Sequence, residues 1–320
     1  MNLFRKKKKL LNPFLNDPKL YFLSQQNTYE NFYGFRKDPF DPRPDPSLFF
    51  LAENFREVWN SVLQGITERK GFILLTGESG IGKTTLIALV HLYLTTNGRK
   101  VKVIPLFDPP NTTEEILRAG LRDLGFPAEE ENKSTMRSLL DKAVLQRSAR
   151  GETMVMIFDE AQNLPNEVMD EIRLFAEPEP GQPKFLQKIF VGTRQFEENL
   201  KDRDLLILNQ SFEVRCRLNR LTRAESLEYI EHRLSRVGST TSSVFTPKAA
   251  YRIARHANGI PGIINRVCQE ALSVGYTRMK ETADSAIVRE AIANLRRESK
   301  EALQLRERIL SRLQKNSEEW

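Results

Sequence analysis

The stretch GESGIGKTT, Gly77–Thr85, decides the reading of this chain. Gly77 and Gly82 bracket Glu78, Ser79, Gly80 and Ile81, and Lys83, Thr84 and Thr85 follow. Glycines at this spacing let the backbone curl so that successive N–H groups point inward, a shape that fits phosphate oxygens. A lysine at the end of such a loop reaches the β- and γ-phosphates, and the hydroxyl after it takes a place on Mg²⁺. The context agrees with a nucleotide site. GFILLT (71–76) is a short apolar run suited to a buried parallel strand, and Lys83–Leu94 suits a helix. The helix N-terminus adds its positive dipole end beneath the phosphates.

Working outward, MVMIFDEAQ (154–162) is an apolar run that ends in two carboxylates, Asp159 and Glu160. An aspartate at the carboxyl end of a parallel strand beside a phosphate loop holds Mg²⁺, directly or through water. The adjacent Glu160 is placed to polarise a water for in-line attack on the γ-phosphate. QKIFVGTRQF ends a further strand, and Thr193 just past it is placed to sense the γ-phosphate or orient the attacking water. No NKxD element for reading guanine occurs, so ATP is the expected nucleotide.

The rest of the chain supports an α/β domain followed by helices. VKVIPLF (101–107), TMVMIF (153–158) and QKIFVG (187–192) read as strands. They alternate with helices at about 53–69, 113–124 and 134–147, the second capped by Thr112 or Thr113. Such alternation predicts a parallel sheet sandwiched by helices. VRCRLNRL reads as a last strand, and helices follow at 222–237, 246–257, 261–279 and 285 to about 314. The expected organisation is a basic arm over 1–30, a nucleotide-binding α/β domain over 31–220, a helical lid over 221–284 and a charged C-terminal helix over 285–320. YGFRKDPFDPRPDPSLFFLA, rich in proline and aromatics, reads as an extended segment that docks on some surface, because prolines fix the backbone and aromatics need burial.

The 320 residues carry 49 Lys+Arg against 42 Asp+Glu, a net charge of +7. That excess fits a nucleic-acid or anionic-membrane surface as well as a solvated surface around a phosphate pocket. Arg5–Lys9 is the one dense basic run. The two cysteines, Cys216 and Cys268, lack metal-ligand spacing, and a reducing cytoplasmic location is expected. No apolar run approaches the roughly 18 residues of a membrane helix.

These motifs resemble those of AAA+ ATPases typified by general secretion pathway protein A. Pro39-Phe40 and Asp45-Pro46 match the family's opening phrase. The order continues with PPNTTEEILRAGLRDLGFP, IFDEAQNLPNEVMDEIRLF, IFVGTRQFEENL and ANGIPGIINRVCQEAL, so the similarity runs from about residue 31 to 295. The resemblance implies an AAA+ fold of the P-loop NTPase class with a small helical lid, and an oligomer, ring or filament, with ATP between subunits. It also implies a sensor arginine in the lid, an arginine finger near the last strand, and Phe49 and Phe50 flanking the adenine. The chain departs from the family pattern at three places. Thr193 stands where the family usually has glutamine. Gly262 replaces the lid arginine, for which Arg266, one turn on, is the expected substitute. Ser211 stands where an arginine is frequent, and Arg215 is the expected finger. Two loads follow from the resemblance: a secretion or envelope-assembly system, or duplex DNA and a transposase, as in transposition regulators of the wider group.

Overall fold

In the computed structural model, residues 29–96, 100–127, 131–178 and 182–317 are described. The basic run Arg5–Lys9 lies outside them. The chain divides into two units. One comprises the described residues of Pro44–Pro46 and Leu51–Leu221, and the other gathers the described residues up to Arg43, Ser47–Phe50 and the described residues from Thr222.

The first unit is the expected parallel sheet. α1 (Glu53–Thr67) leads into β1 (Phe72–Gly77), and α2 (Lys83–Thr96) into β2 (Val101–Leu106). Next come α3 (Thr113–Asp123), α4 (Lys133–Ser148), β3 (Thr153–Phe158) and α5 (Asn166–Arg173). β4 (Leu186–Gly192), α6 (Arg194–Asn199) and β5 (Val214–Leu218) complete the unit. The strand order is β2-β3-β4-β1-β5, and every pairing is parallel.

Side-chain alternation along the strands makes two cores. Phe72 and Leu74 of β1, Met154, Met156 and Phe158 of β3, and Phe190 of β4 face one side, where α3, α4 and α5 cover them. Ile73 and Leu75, Val155 and Ile157, and Ile189 and Val191 face the other, under α1 and α2. β1, β3 and β4 are buried on both faces, which is why β1 and β3 read as nearly continuous apolar runs. β2 is an edge strand, and that placement tolerates Pro105, which has no N–H to give to a ladder. Thr112 caps α3 and Asn132 caps α4, each side chain accepting a backbone N–H of the first turn.

The second unit is helical: α7 (Arg223–Ser235), α8 (Pro247–Ala257), α9 (Pro261–Thr277) and α10 (Ser285–Ser317). A full capping box between Thr222 and Glu225 starts α7. The structure differs here from the expected organisation. Residues 31–43 and 47–50, read as the front of the nucleotide-binding domain, group with the helices. Burial explains it. Phe40 and Leu48 are fully buried, and the Phe40 ring lies 6.5 Å from that of Phe245. Arg233, itself buried, donates to the carbonyls of Pro39 and Asp41 and so answers backbone groups of a proline-rich strap that has no ladder partner. The C-terminal helix likewise belongs to this unit, packing along α8 and α9 through Ile287, Val288 and Ala291. Among the described residues no helix is long and apolar enough to cross a membrane.

Candidate functional site

The loop after β1 is built as its sequence requires. Gly80 and Gly82 hold φ of 76° and 108°, backbone that a side chain at either position would strain. Ile81 between them is buried and anchors the loop in the core under α1 and α2. Gly77 sits against β5, where a Cβ would stand 3.0 Å from the Leu218 carbonyl oxygen. Ser79 is exposed, and Thr84 and Thr85 are half-buried on the first turn of α2.

Lys83 folds back beneath this loop. Its Nζ donates to the carbonyls of Gly77 and Glu78, each at 3.2 Å, and the side chain is buried. Burial pushes its pKa down, and the nearby Glu160 and Asp159 carboxylates oppose that push. Asp159 is buried at the end of β3, and its Oδ2 accepts from the Thr84 hydroxyl at 2.6 Å. Its Oδ1 accepts the Glu160 N–H at 2.9 Å. Burial raises the Asp159 pKa, with those two hydrogen bonds pulling the other way.

Glu160 adopts φ 51°, ψ 38°, the left-handed region, at the entry to a turn over Ala161–Asn163. For a residue with a Cβ this conformation costs roughly 1–3 kcal/mol, and such strain concentrates at functional sites. The turn brings Gln162 back, and its amide donates to the Glu160 carboxylate. The Gln162 side-chain oxygen accepts the Thr193 N–H at 3.2 Å. Thr84, Asp159, Glu160, Gln162 and Thr193 therefore form one connected chain. Gln162 was not among the residues singled out from sequence; its place in DEAQ was the available signal.

A second feature also went unread. Glu78, inside the loop, is gripped by two arginines. Arg220 reaches it with Nε at 2.8 Å and Nη2 at 2.5 Å, and Arg194 stands 3.5 Å away. The Arg220 hydrogen bond holds the Glu78 pKa below its ordinary value. The partners lie 142 residues apart, beyond any local pattern.

The remaining candidates stand elsewhere. Arg215 is exposed on edge strand β5, level with Leu74 in the middle of β1 and away from the loop end of the sheet. It donates to the backbone and side-chain oxygens of Asn209 and lies over the Phe212 ring. Its neighbour Arg217 is tied within the chain to Glu197, at 2.6 Å to both oxygens. Phe49 and Arg266 belong to the helical unit. Phe49 is half-buried there, and Phe50 sets its ring edge-on to Tyr229 and His232. Arg266 is exposed on α9, beside a groove it shares with Tyr29, Leu295 and Glu298.

The donor set fits a magnesium nucleotide. A desolvated ammonium with only carbonyl partners suits a polyphosphate, and a hydroxyl in contact with a buried carboxylate suits Mg²⁺. Among the described residues no cluster of three or more His, Cys, Asp or Glu would hold a metal unaided. Mg²⁺ behaves accordingly, since it binds through one or two protein groups and completes its shell with phosphate oxygens and water.

Comparison with known proteins agrees with the motifs. A family model described as an AAA domain matches residues 66–200. The chain is 29% identical over 251 residues to general secretion pathway protein A of Aeromonas hydrophila, a match covering 78% of this chain and 45% of that protein. The chain thus spans less than half the length of this curated relative. Among solved structures, the Aeropyrum pernix ORC1 protein in complex with DNA superimposes with a TM-score of 0.61 at 18% identity, over 82% of this chain and 70% of that one. Cdc6p from Pyrobaculum aerophilum gives 0.61 at 18%, over 80% and 70%. The Thermotoga maritima RuvB Holliday junction branch migration motor gives 0.51 at 21%, over 80% and 73%. At such identities these structures establish a shared fold alone. The resemblance read from the motifs holds.

Proposed function

We propose that this AAA-domain chain binds ATP with Mg²⁺ and hydrolyses it as an oligomeric switch. The observation that carries the reading is the connected chain from Thr84 and Asp159 through Glu160 and Gln162 to Thr193. When bound, Mg²⁺ would supply charge neutralisation to the polyphosphate. Thr84 and Asp159 hold it. The loop N–H groups from Glu78 to Thr84 and the Lys83 ammonium bind the phosphates. Glu160 takes the proton of the attacking water, Gln162 aims Glu160, and Thr193 orients the γ-phosphate end. Arg215 acts across a subunit interface, and its surroundings support that role: the exposed Leu206 and Ile207 begin the short helix whose Asn209 it grips. Phe49 and Arg266 serve the adenine and the phosphates from the lid.

Glu160→Gln tests the reading. Loss of a general base costs on the order of 10²- to 10⁴-fold in turnover. The variant should retain ATP and remain assembled; undiminished hydrolysis removes Glu160 from its role.

Two loads are carried forward. The likeness to general secretion pathway protein A supports a cytoplasmic ATPase serving secretion or envelope components. The net charge of +7 supports the second reading, a regulator that assembles on duplex DNA with ATP and recruits a transposase. Duplex binding that requires ATP favours the second; co-assembly with envelope proteins and no duplex binding favours the first.

A further inference from the structure

The helical unit carries a cationic groove that the ATPase chemistry does not use. α8 and α10 lie side by side, and the groove between them, about 720 Å³, is lined by Arg252, Arg255, Arg289, Arg296, Arg297 and Lys300, with Ile292 in its wall. No carboxylate lines it. A smaller depression that shares Arg252 and Arg255 continues it past Lys248 and Tyr251. From these features the geometry points to a binding site for the sugar-phosphate backbone of a nucleic-acid duplex. The inference deepens the DNA reading of the preceding section and rests on it.

Charge segregation is the first argument. α10 is rich in both signs, yet among the described residues none of its acids lines the groove. Glu290 pairs with Arg278 at 2.6 Å, and Glu298 lines a separate groove with Arg266. Asp284 spends its carboxylate on the N–H groups of Ala286 and Ile287. Among the described residues, none of Arg255, Arg289, Arg296, Arg297 and Lys300 has a carboxylate within ion-pair distance. A merely solvated helix face with this composition would mix its signs, because like charges three and four apart repel. The field is felt locally: burial first, then Arg296, pushes the His256 pKa down.

Spacing is the second. At about 1.5 Å per residue, Arg289 to Lys300 spans roughly 16 Å along α10, with Arg296 and Arg297 between. Arg252 and Arg255 form a facing row on α8, and Arg252 is steadied by a 2.7 Å hydrogen bond to Ser285. Two facing rows of cations track a chain of phosphates better than a point ligand. A lipid surface is the poorer match. Interfacial helices present bulky apolar residues beside their cations, and here the apolar wall is Ile292 and Ala293 only. Such contacts read no bases, so affinity should be independent of sequence.

The test uses the full chain with ATP and Mg²⁺. Binding to fluorescent duplexes of two unrelated sequences is titrated across a salt series. The same is done with vesicles of phosphatidylserine and phosphatidylcholine. Two triple variants are compared: Arg289→Ala/Arg296→Ala/Arg297→Ala in the groove, and Lys142→Ala/Arg150→Ala/Lys201→Ala, which removes equal exposed charge elsewhere. Far-UV circular dichroism and ATP turnover check that each variant is folded. Each lost phosphate contact lowers the log–log salt slope by about one, so the groove variant should lose about three units and roughly a hundredfold in affinity near physiological salt. The control variant should keep the slope of the parent. If the parent binds both duplexes but the groove variant binds as tightly with the same slope, this site is wrong while the DNA reading stands. If the parent binds no duplex, or prefers the vesicles, both are overturned.

Discussion

Two buried lysines show how one residue type does different work in one sheet. Lys83 sits under the phosphate loop against carbonyls, with two carboxylates near enough to support its charge. Lys188, 1% exposed on β4, is enclosed by the Phe72 ring at 4.5 Å, the Arg173 carbonyl at 2.7 Å and Glu177 at 3.4 Å. Burial lowers its pKa from 10.5 to about 8. Below about pH 8 it is charged in both folded and unfolded chains. Above 10.5 it is neutral in both. Between those limits the unfolded chain binds the extra proton, so stability attributable to Lys188 rises with pH, by about 3 kcal/mol over the window. Urea unfolding of the parent and of Lys188→Met from pH 7.5 to 10 isolates this contribution from the other groups that titrate there. The stability difference, parent minus variant, should grow with pH; a flat difference refutes a depressed lysine. Sequence showed Lys188 only as a polar interruption in an apolar run. Its burial comes from α5 and the chain after it, which close over that end of the strand.

At the scale of elements, the strand-to-helix turn after β4 is the tightest point near the site. A Cβ on Gly192 would lie 2.6 Å from Cδ1 and 2.9 Å from Cβ of Phe196, whose ring is fully buried. The ring root has no room to yield, so Gly192→Ala must displace α6 or the strand end, at about 1–3 kcal/mol. Thr193 follows directly, and its N–H is the last link to Gln162. The variant should melt several degrees lower and hydrolyse ATP more slowly, as a thermal melt and a phosphate-release assay would read; an unchanged melting temperature with full turnover means the turn is softer than described. Legibility at this scale followed length and burial. β1 and β3 were plain because residues buried on both faces leave little polar break, and β4 was read from its apolar stretch Ile189–Val191 in spite of Gln187 and Lys188. α6 is six residues long, too short for a helical period to emerge. α5 does carry Val168, Met169 and Ile172 on one face and was readable, but it lay inside a stretch read only for its family resemblance. Asp159 and Glu160 were visible as a pair. Their link to Thr193 was not, because it depends on a left-handed Glu160 turning the chain back.

Across the whole molecule, what escaped the sequence is what long-range contacts decide. The strap through Phe40 joins the helical unit because Arg233, 194 residues from Pro39, accepts the task of satisfying its carbonyls. The same limit applies to Arg215. Within one chain it stands two residues along β5 from Arg217, opposite the middle of β1, while the loop begins at the far end of that strand. If it contributes to hydrolysis, it does so in a neighbouring subunit's site. Mixing two inactive variants tests that arrangement. Arg215→Ala chains keep Glu160 but lack the arginine; Glu160→Gln chains keep the arginine but lack the base. Each alone should be inactive while still binding ATP. In an even mixture, about one interface in four joins an intact Glu160 to an intact Arg215 of its neighbour, the product of two even chances in a head-to-tail assembly. Turnover should therefore recover to roughly that fraction of the parent's. Recovery must vanish on dilution below the assembly concentration. A mixture as inactive as its components would place the arginine's action within its own chain or remove it from catalysis, and turnover by Arg215→Ala alone would mean that another side chain serves as the finger.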